Sequence, residues 1–261
     1  MRVRRLALFP FLFAAAFAAV LAWIDGGEDD GFVAGQRILV RILAAAGCWA
    51  AASAFESGDR LRRAWLWLGI GTLFILARDL LRLSPVFAPS PEPQAAHILT
   101  TLGILANLAE LVGIWRLARA WSLLTIDRPG GRAGLAAVFL VTSALALGVA
   151  GPGALHAVRA HDLILVTSAL VDIVTLCLIA PLLLTALALR GGTFFWPWAL
   201  ITASRLSWLL YDAVAGLAPG GALQLPDLFR GLAENFLFVA GLAQFLVVRH
   251  VRSRARATGN P

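Results

Sequence analysis

Eight apolar runs, at 3–24, 36–55, 63–83, 94–121, 133–150, 162–189, 196–216 and 227–248, follow one another with links of about a dozen residues or fewer. Crossing the hydrocarbon core of a bilayer takes about 20 residues at 1.5 Å per residue, so each run is close to or above span length. In that solvent the backbone must satisfy its own hydrogen bonds, which leaves one fold class, an all-α polytopic transmembrane bundle of eight spans. Only 14% of the residues are charged, against about 25% in a soluble domain. The short links leave no soluble catalytic or signalling region, so 1–261 reads as a single membrane domain with a short basic tail at 251–261.

All 22 positive residues are arginine, and they fall in small clusters between the runs. That distribution is a topology signal rather than a nucleic-acid patch, and no nucleic-acid partner is expected. With the amino terminus in the cytoplasm, fifteen arginines lie on the cytoplasmic side and five (Arg37, Arg41, Arg82, Arg159 and Arg230) on the outer side, with Arg78 and Arg205 at membrane depth. The acidic link with Asp25, Glu28, Asp29 and Asp30 then lies outside, as does the proline-rich SPVFAPSPEP. The expected setting is a bacterial inner membrane, multi-pass, both termini cytoplasmic, with an uncleaved first helix.

The run WPWALITASRLSWLLYDAVAG at 196–216 holds Arg205 near its middle and Asp212 two turns on. A guanidinium stays charged at ordinary pH, and it sits about 18 Å from the start of its helix, too deep to snorkel easily. It needs an ionic partner or a water-lined cavity. The other polar groups within the runs are Arg78, Asp79, Asn107, Glu110, Asp172, Glu234 and Asn235. Helix arithmetic places Glu110 and Asp172 near mid-depth, where they become the natural partners of Arg205 and Arg78. Trp208 and Tyr211 share helical spacing with Ser204 and Ser207 and could wall a pocket beside Arg205. One or two ion pairs suffice to hold the register of a bundle, so nine charged or amide groups point to an outward-facing polar site for a small ligand.

LGIGTLFILARDLLRLSP with Arg78 matches ALITASRLSWLLYDAVAGLAP with Arg205 at an offset of 127 residues, and the Leu-Ala-Glu at Glu110 matches that at Glu234 at 124. The pattern suggests a parallel 4+4 duplication with halves 1–128 and 132–250, hinged at Pro129 and Gly131.

Trp65, Trp67, Trp121, Trp196 and Trp198 read as anchors at the membrane interface. The fifth run reads as ending at Gly151-Pro152-Gly153, and Pro181 could kink the sixth. Cys48 and Cys177 lie inside apolar runs and supply no disulfide framework, zinc or iron-sulfur ligand set. His97, His156 and His161, with Asp162, fall near helix ends without metal-binding spacing, so no metal and no cofactor is expected. Phosphate-binding glycine loops, HExxH and GxSxG are absent from the sequence, so no catalytic residue is assigned, although an intramembrane enzyme built from scattered acids stays open.

The stretch HDLILVTSALVDIVTLCLIAPLLLTALALRGG followed by WPWALITASRLSWLLYD resembles the multi-helix membrane input regions that precede histidine kinase or diguanylate cyclase domains in bacteria. The likeness covers roughly 160–216, with Asp172 and Asp212 at the acidic positions, and is faint before that. It implies sensing or signal transfer, here without an output domain after Arg256. The expected partners are the lipid bilayer, a small polar ligand and a separate membrane or cytoplasmic signalling protein. Transport of a small polar solute is the alternative, and a pocket closed beneath Asp172 would favour sensing over transport.

Overall fold

A computed structural model describes residues 2–23, 30–84, 93–126, 131–159, 163–189, 192–217 and 225–257. The described residues form helices α1 (Arg2–Leu6), α2 (Phe9–Trp23), α3 (Asp30–Ser53), α4 (Arg60–Leu81), α5 (Pro93–Ile126), α6 (Gly131–Arg159), α7 (Leu163–Ala188), α8 (Phe195–Leu217) and α9 (Leu225–Ala257), joined by turns. Five helical stretches are long and apolar enough to cross a membrane: Arg4–Trp23, which joins α1 to α2, Gly31–Ser53, Arg60–Leu81, Gln94–Ala120 and Leu225–Arg254. α6 and α7 carry shorter apolar stretches, and α8 is diluted by its serines and by Arg205. The chain is therefore all-helical in its described part, with the pattern of a membrane protein.

Local sequence explains the element ends. Pro10 has no amide proton to give the carbonyl of Leu6, so the first run breaks at Ala7-Leu8 and restarts as α2 with proline in its first turn. Asp59 caps α4, its carboxylate accepting from the amide of Leu61 at 2.9 Å. Two sequence expectations are corrected. The fifth run does not stop at Gly151-Pro152-Gly153: α6 continues through Pro152 to Arg159, because one missing backbone hydrogen bond is outweighed by the helix on either side. α9 runs on through the basic stretch as far as Ala257 instead of ending near 248. The links 24–29, 85–92, 127–130, 160–162 and 218–224, which hold most of the acidic link, most of the proline-rich link, Pro129, His161 and Asp162, lie outside the described residues.

Six helices close into a ring: α3 packs on α4, α4 on α5, α5 on α7, α7 on α8, α8 on α9, and α9 back on α3. α2 lies outside the ring on α9, and α6 lies outside it, mainly on α7. α3 and α9 run parallel, since Arg37 meets Asp227, Arg41 meets Glu234, and Gly47 meets Phe238 and Gly241 in that order along both chains. Between lipid-facing helices there is little hydrophobic gain, so contact comes from close packing of small residues. At Gly47 an added Cβ would lie 2.5 Å from the carbonyl oxygen of Phe238, and at Gly71 one would lie 2.8 Å from Cγ of Glu110. These glycines let the backbones approach.

The ring is filled differently at its two ends. One end is an apolar plug around Trp65, Leu68, Ile114, Leu117, Trp198 and Ile201, all fully buried. Trp65 and Trp198 are thus not interface anchors: both indoles are fully buried in the apolar cluster with Leu68, Ile114, Leu117 and Ile201. Trp67 and Trp196 are partly buried, and the side chain of Trp121 lies outside the described residues.

Candidate functional site

The opposite end of the ring holds the ionisable side chains. On five of the ring helices the boundary between apolar and polar comes at a matching level, the polar part lying before Ala44 on α3, Ile114 on α5 and Phe236 on α9, and beyond Ile201 on α8 and from Thr72 onward on α4. Arg205 stands at this boundary, 3% exposed, with Nη1 donating to Glu110 Oε2 at 2.7 Å. Of the two mid-depth acids, Arg205 therefore takes Glu110. Its Nε and Nη2 are buried and make no hydrogen bond to another described side chain or backbone group.

Next to this pair, the Arg41 guanidinium of α3 donates to Glu234 and lies 3.6 Å from Asp79, an ionic contact too long for a hydrogen bond. Its guanidinium carbon also stacks 5.4 Å from the centroid of Trp208. Arg41 and Glu234 are 4% and 1% exposed, so water contributes little to holding either charge. A lone ion there would cost several kcal/mol, and the pair persists because each solvates the other. Closer to the helix ends, Arg37 grips Asp227 with Nε and Nη2 at 2.9 and 3.0 Å in a two-point pair. Arg230 shares Asp227 at 2.8 Å and donates to the Tyr211 hydroxyl at 2.7 Å, its guanidinium 4.9 Å from the Tyr211 ring centroid.

These pairs surround a cavity of about 140 Å³ to which all six ring helices contribute. Its wall is formed by Arg41 of α3; Ile75, Arg78, Asp79 and Arg82 of α4; Gly103, Ala106, Asn107 and Glu110 of α5; Ser168 and Asp172 of α7; Trp208 and Tyr211 of α8; and Arg230 of α9. The cavity thus brings together Arg78, Asp79, Asn107, Glu110, Asp172, Trp208 and Tyr211 from the polar groups read in the sequence. Trp208 and Tyr211 meet edge to face, with centroids 5.3 Å apart.

Others fall elsewhere. Arg205 and Glu234 lie behind the wall as the partners of Glu110 and Arg41. Asn235 is fully buried away from the cavity, with Nδ2 donating to Gly231 of its own helix at 2.9 Å. Asp212 belongs to α8, but its side chain lies outside the described residues, as does that of His156. His97 is exposed, and among the described residues no group of three or more His, Cys, Asp or Glu is placed to hold a metal ion. Cys48 is buried in the plug, and Cys177 sits 3.2 Å from the hydroxyl of Ser143.

Three arginines counted toward the outer side are parts of the ion-pair network within the bundle. Arg37, Arg41 and Arg230 each pair with an acid. α3 starts at Asp30, well before the expected start of its run, which carries Arg41 three turns into the helix. The pattern that could have revealed them is the spacing of Arg37 and Arg41 by four residues on one face, opposite Asp227, Arg230 and Glu234 spaced by three and four on another. Comparison with known proteins adds no relative: no family model matches the chain, and neither a curated protein nor a solved structure does.

Proposed function

We propose that this chain is an eight-span integral membrane sensor or interaction module whose polar cavity binds a small ligand. One observation carries the reading: the cavity is polar at one end of the ring and stopped at the other by the buried plug around Trp65, Leu68, Ile114 and Trp198. A carrier needs a path that opens to both faces around its site. Here no buried Arg, His, Asp or Glu among the described residues continues below the Arg205–Glu110 level, which favours binding over passage. The proposed output is a change in how the helices present themselves to a separate signalling protein, in keeping with the resemblance to kinase and cyclase input regions.

Several features support the eight-span, 4+4 arrangement. The ring contacts repeat in order: α3 on α4 as α7 on α8, α4 on α5 as α8 on α9, and α3 on α9 as α7 on α5. The parallel course of α3 and α9 agrees with every helix from α2 to α9 crossing once. The distribution of arginines supports the orientation in a bacterial inner membrane. Arg60, Arg62, Arg63, Arg116, Arg119, Arg249 and Arg254 lie at the plug end, whereas three arginines of the cavity end are neutralised by acids. The plug end and both termini would then face the cytoplasm, and the cavity would open outward.

Cysteine labelling tests this in inverted and right-side-out vesicles. In a background carrying Cys48→Ala and Cys177→Ala, Asn107→Cys is expected to react with a membrane-impermeant maleimide from the outer face only, and Leu117→Cys from neither. Reaction of Asn107→Cys from both faces would refute the closed pocket and favour transport.

A further inference from the structure

We infer that the cavity is a site for a small monocarboxylate, whose carboxylate group is received by Arg78 with Arg82 at the rim. The inference rests on the pocket reading above and names its ligand class. The acids around the cavity are largely committed: Glu110 to Arg205, Glu234 and Asp79 to Arg41, Asp227 to Arg37 and Arg230. Arg78, half-buried in the wall, differs from Arg41, Arg205 and Arg230. Among the described residues no carboxylate lies within ion-pair distance of it, and its Nε is buried without a hydrogen-bond partner. Arg82, one turn further along the same face of α4, is exposed and among the described residues likewise has no acid in ion-pair contact. Two guanidinium forks on one wall of a cavity are suited to a planar carboxylate, which each can engage at two points.

The rest of the wall narrows the class. A cationic ligand would look for open aromatic faces, but Trp208 already carries Arg41 and Tyr211 already carries Arg230. A phosphate dianion would bring a second negative charge up to Asp79, Glu110 and Asp172, which line the same space, whereas a single carboxylate would not. Asn107 and Ser168 remain to meet a hydroxyl or carbonyl on the ligand, and Ile75 with the two rings meets a short apolar body. The volume, about 140 Å³, is close to that of cavities of about 150 Å³ that accept benzene, so the ligand is of lactate to benzoate size.

The test is isothermal titration calorimetry of the purified full chain in detergent with lactate, benzoate, inorganic phosphate and tetramethylammonium. The expected result is saturable binding of lactate or benzoate. That binding should weaken at least tenfold in Arg78→Gln and about threefold in Arg82→Gln, and stay unchanged in Arg116→Gln on the plug side. If Arg78→Gln does not fold, Arg82→Gln decides, because its side chain is exposed and its removal leaves the packing intact. Tighter binding of phosphate than of either carboxylate overturns the monocarboxylate class. Binding of tetramethylammonium alone overturns the anion inference and leaves the pocket standing. Silence toward all four probes overturns the inference, and one-sided labelling at position 107 then shows whether the pocket reading survives it.

Discussion

Replacing Arg41 by methionine isolates the energetic logic of the polar half. The substitution keeps most of the side-chain length but leaves Glu234, 1% exposed, without its cation, and it also removes the contact to Asp79 and the stacking on Trp208. Breaking a buried pair by deleting one partner costs about 3–5 kcal/mol, most of it the orphaned charge. Replacing both members by apolar residues of similar volume is about neutral, or stabilising by about 1–4 kcal/mol. Arg41→Met should therefore destabilise the fold by about 3–5 kcal/mol, and Arg41→Met with Glu234→Leu should recover most of that. A residue of about 1 kcal/mol is expected to remain, because Asp79 is left with water from the cavity in place of an ionic contact. Equilibrium unfolding in mixed detergent and SDS micelles, monitored by maleimide reaction of the buried Cys48, measures all three variants. A single variant costing less than about 1 kcal/mol, or a double variant no more stable than the single, would refute the account: the first would mean a hydrated pair, the second that lost packing sets the cost.

The same assay reads two further substitutions. Gly47→Ala would place a Cβ 2.5 Å from the Phe238 carbonyl oxygen and 2.7 Å from its Cα, backbone atoms that cannot turn aside, so a loss of about 3 kcal/mol or more is expected. Gly35→Ala, which meets nothing within 4 Å, should change stability by no more than about 0.5 kcal/mol. Asp227→Asn frees both Arg37 and Arg230, and a loss of about 1–2 kcal/mol is expected, discounted because Arg37 is 35% exposed. A loss equal to that of Arg41→Met would show that depth does not set the cost.

What could be read in the sequence depended on whether a residue's surroundings are local. Arg205 and Glu110 stood out because charge in the middle of an apolar run is anomalous wherever the other helices lie. Arg37 and Arg41 did not, since an arginine toward the end of a run can reach the interface or turn inward. Which of these occurs is decided by acids on α9 nearly 200 positions away, at Asp227 and Glu234. Trp65 and Trp198 follow the same rule: tryptophan near a span end is the usual mark of the interface, and only packing against the neighbouring helices takes these two inside. The continuation of α6 through Pro152 was hidden for another reason: Gly-Pro-Gly is a strong local break signal, yet the helical turns on either side outweigh the one backbone hydrogen bond that proline removes.

The seam between α3 and α9 also dictates an order of events during synthesis. Arg37 and Asp227 are 190 positions apart, and Arg41 and Glu234 are 193 apart. At about 5–20 residues per second, a ribosome takes about 10–40 s to supply the acids after the arginines have emerged. For that interval α3 carries guanidiniums whose main counterions do not yet exist, and among the described residues only Asp79 reaches Arg41 sooner. On that timing α3 is expected to wait in a hydrated or interfacial position, with α9 as the clasp whose acids neutralise it. Truncation of the reading frame before residue 227 would leave that clasp open and a charged helix for membrane quality control to recognise.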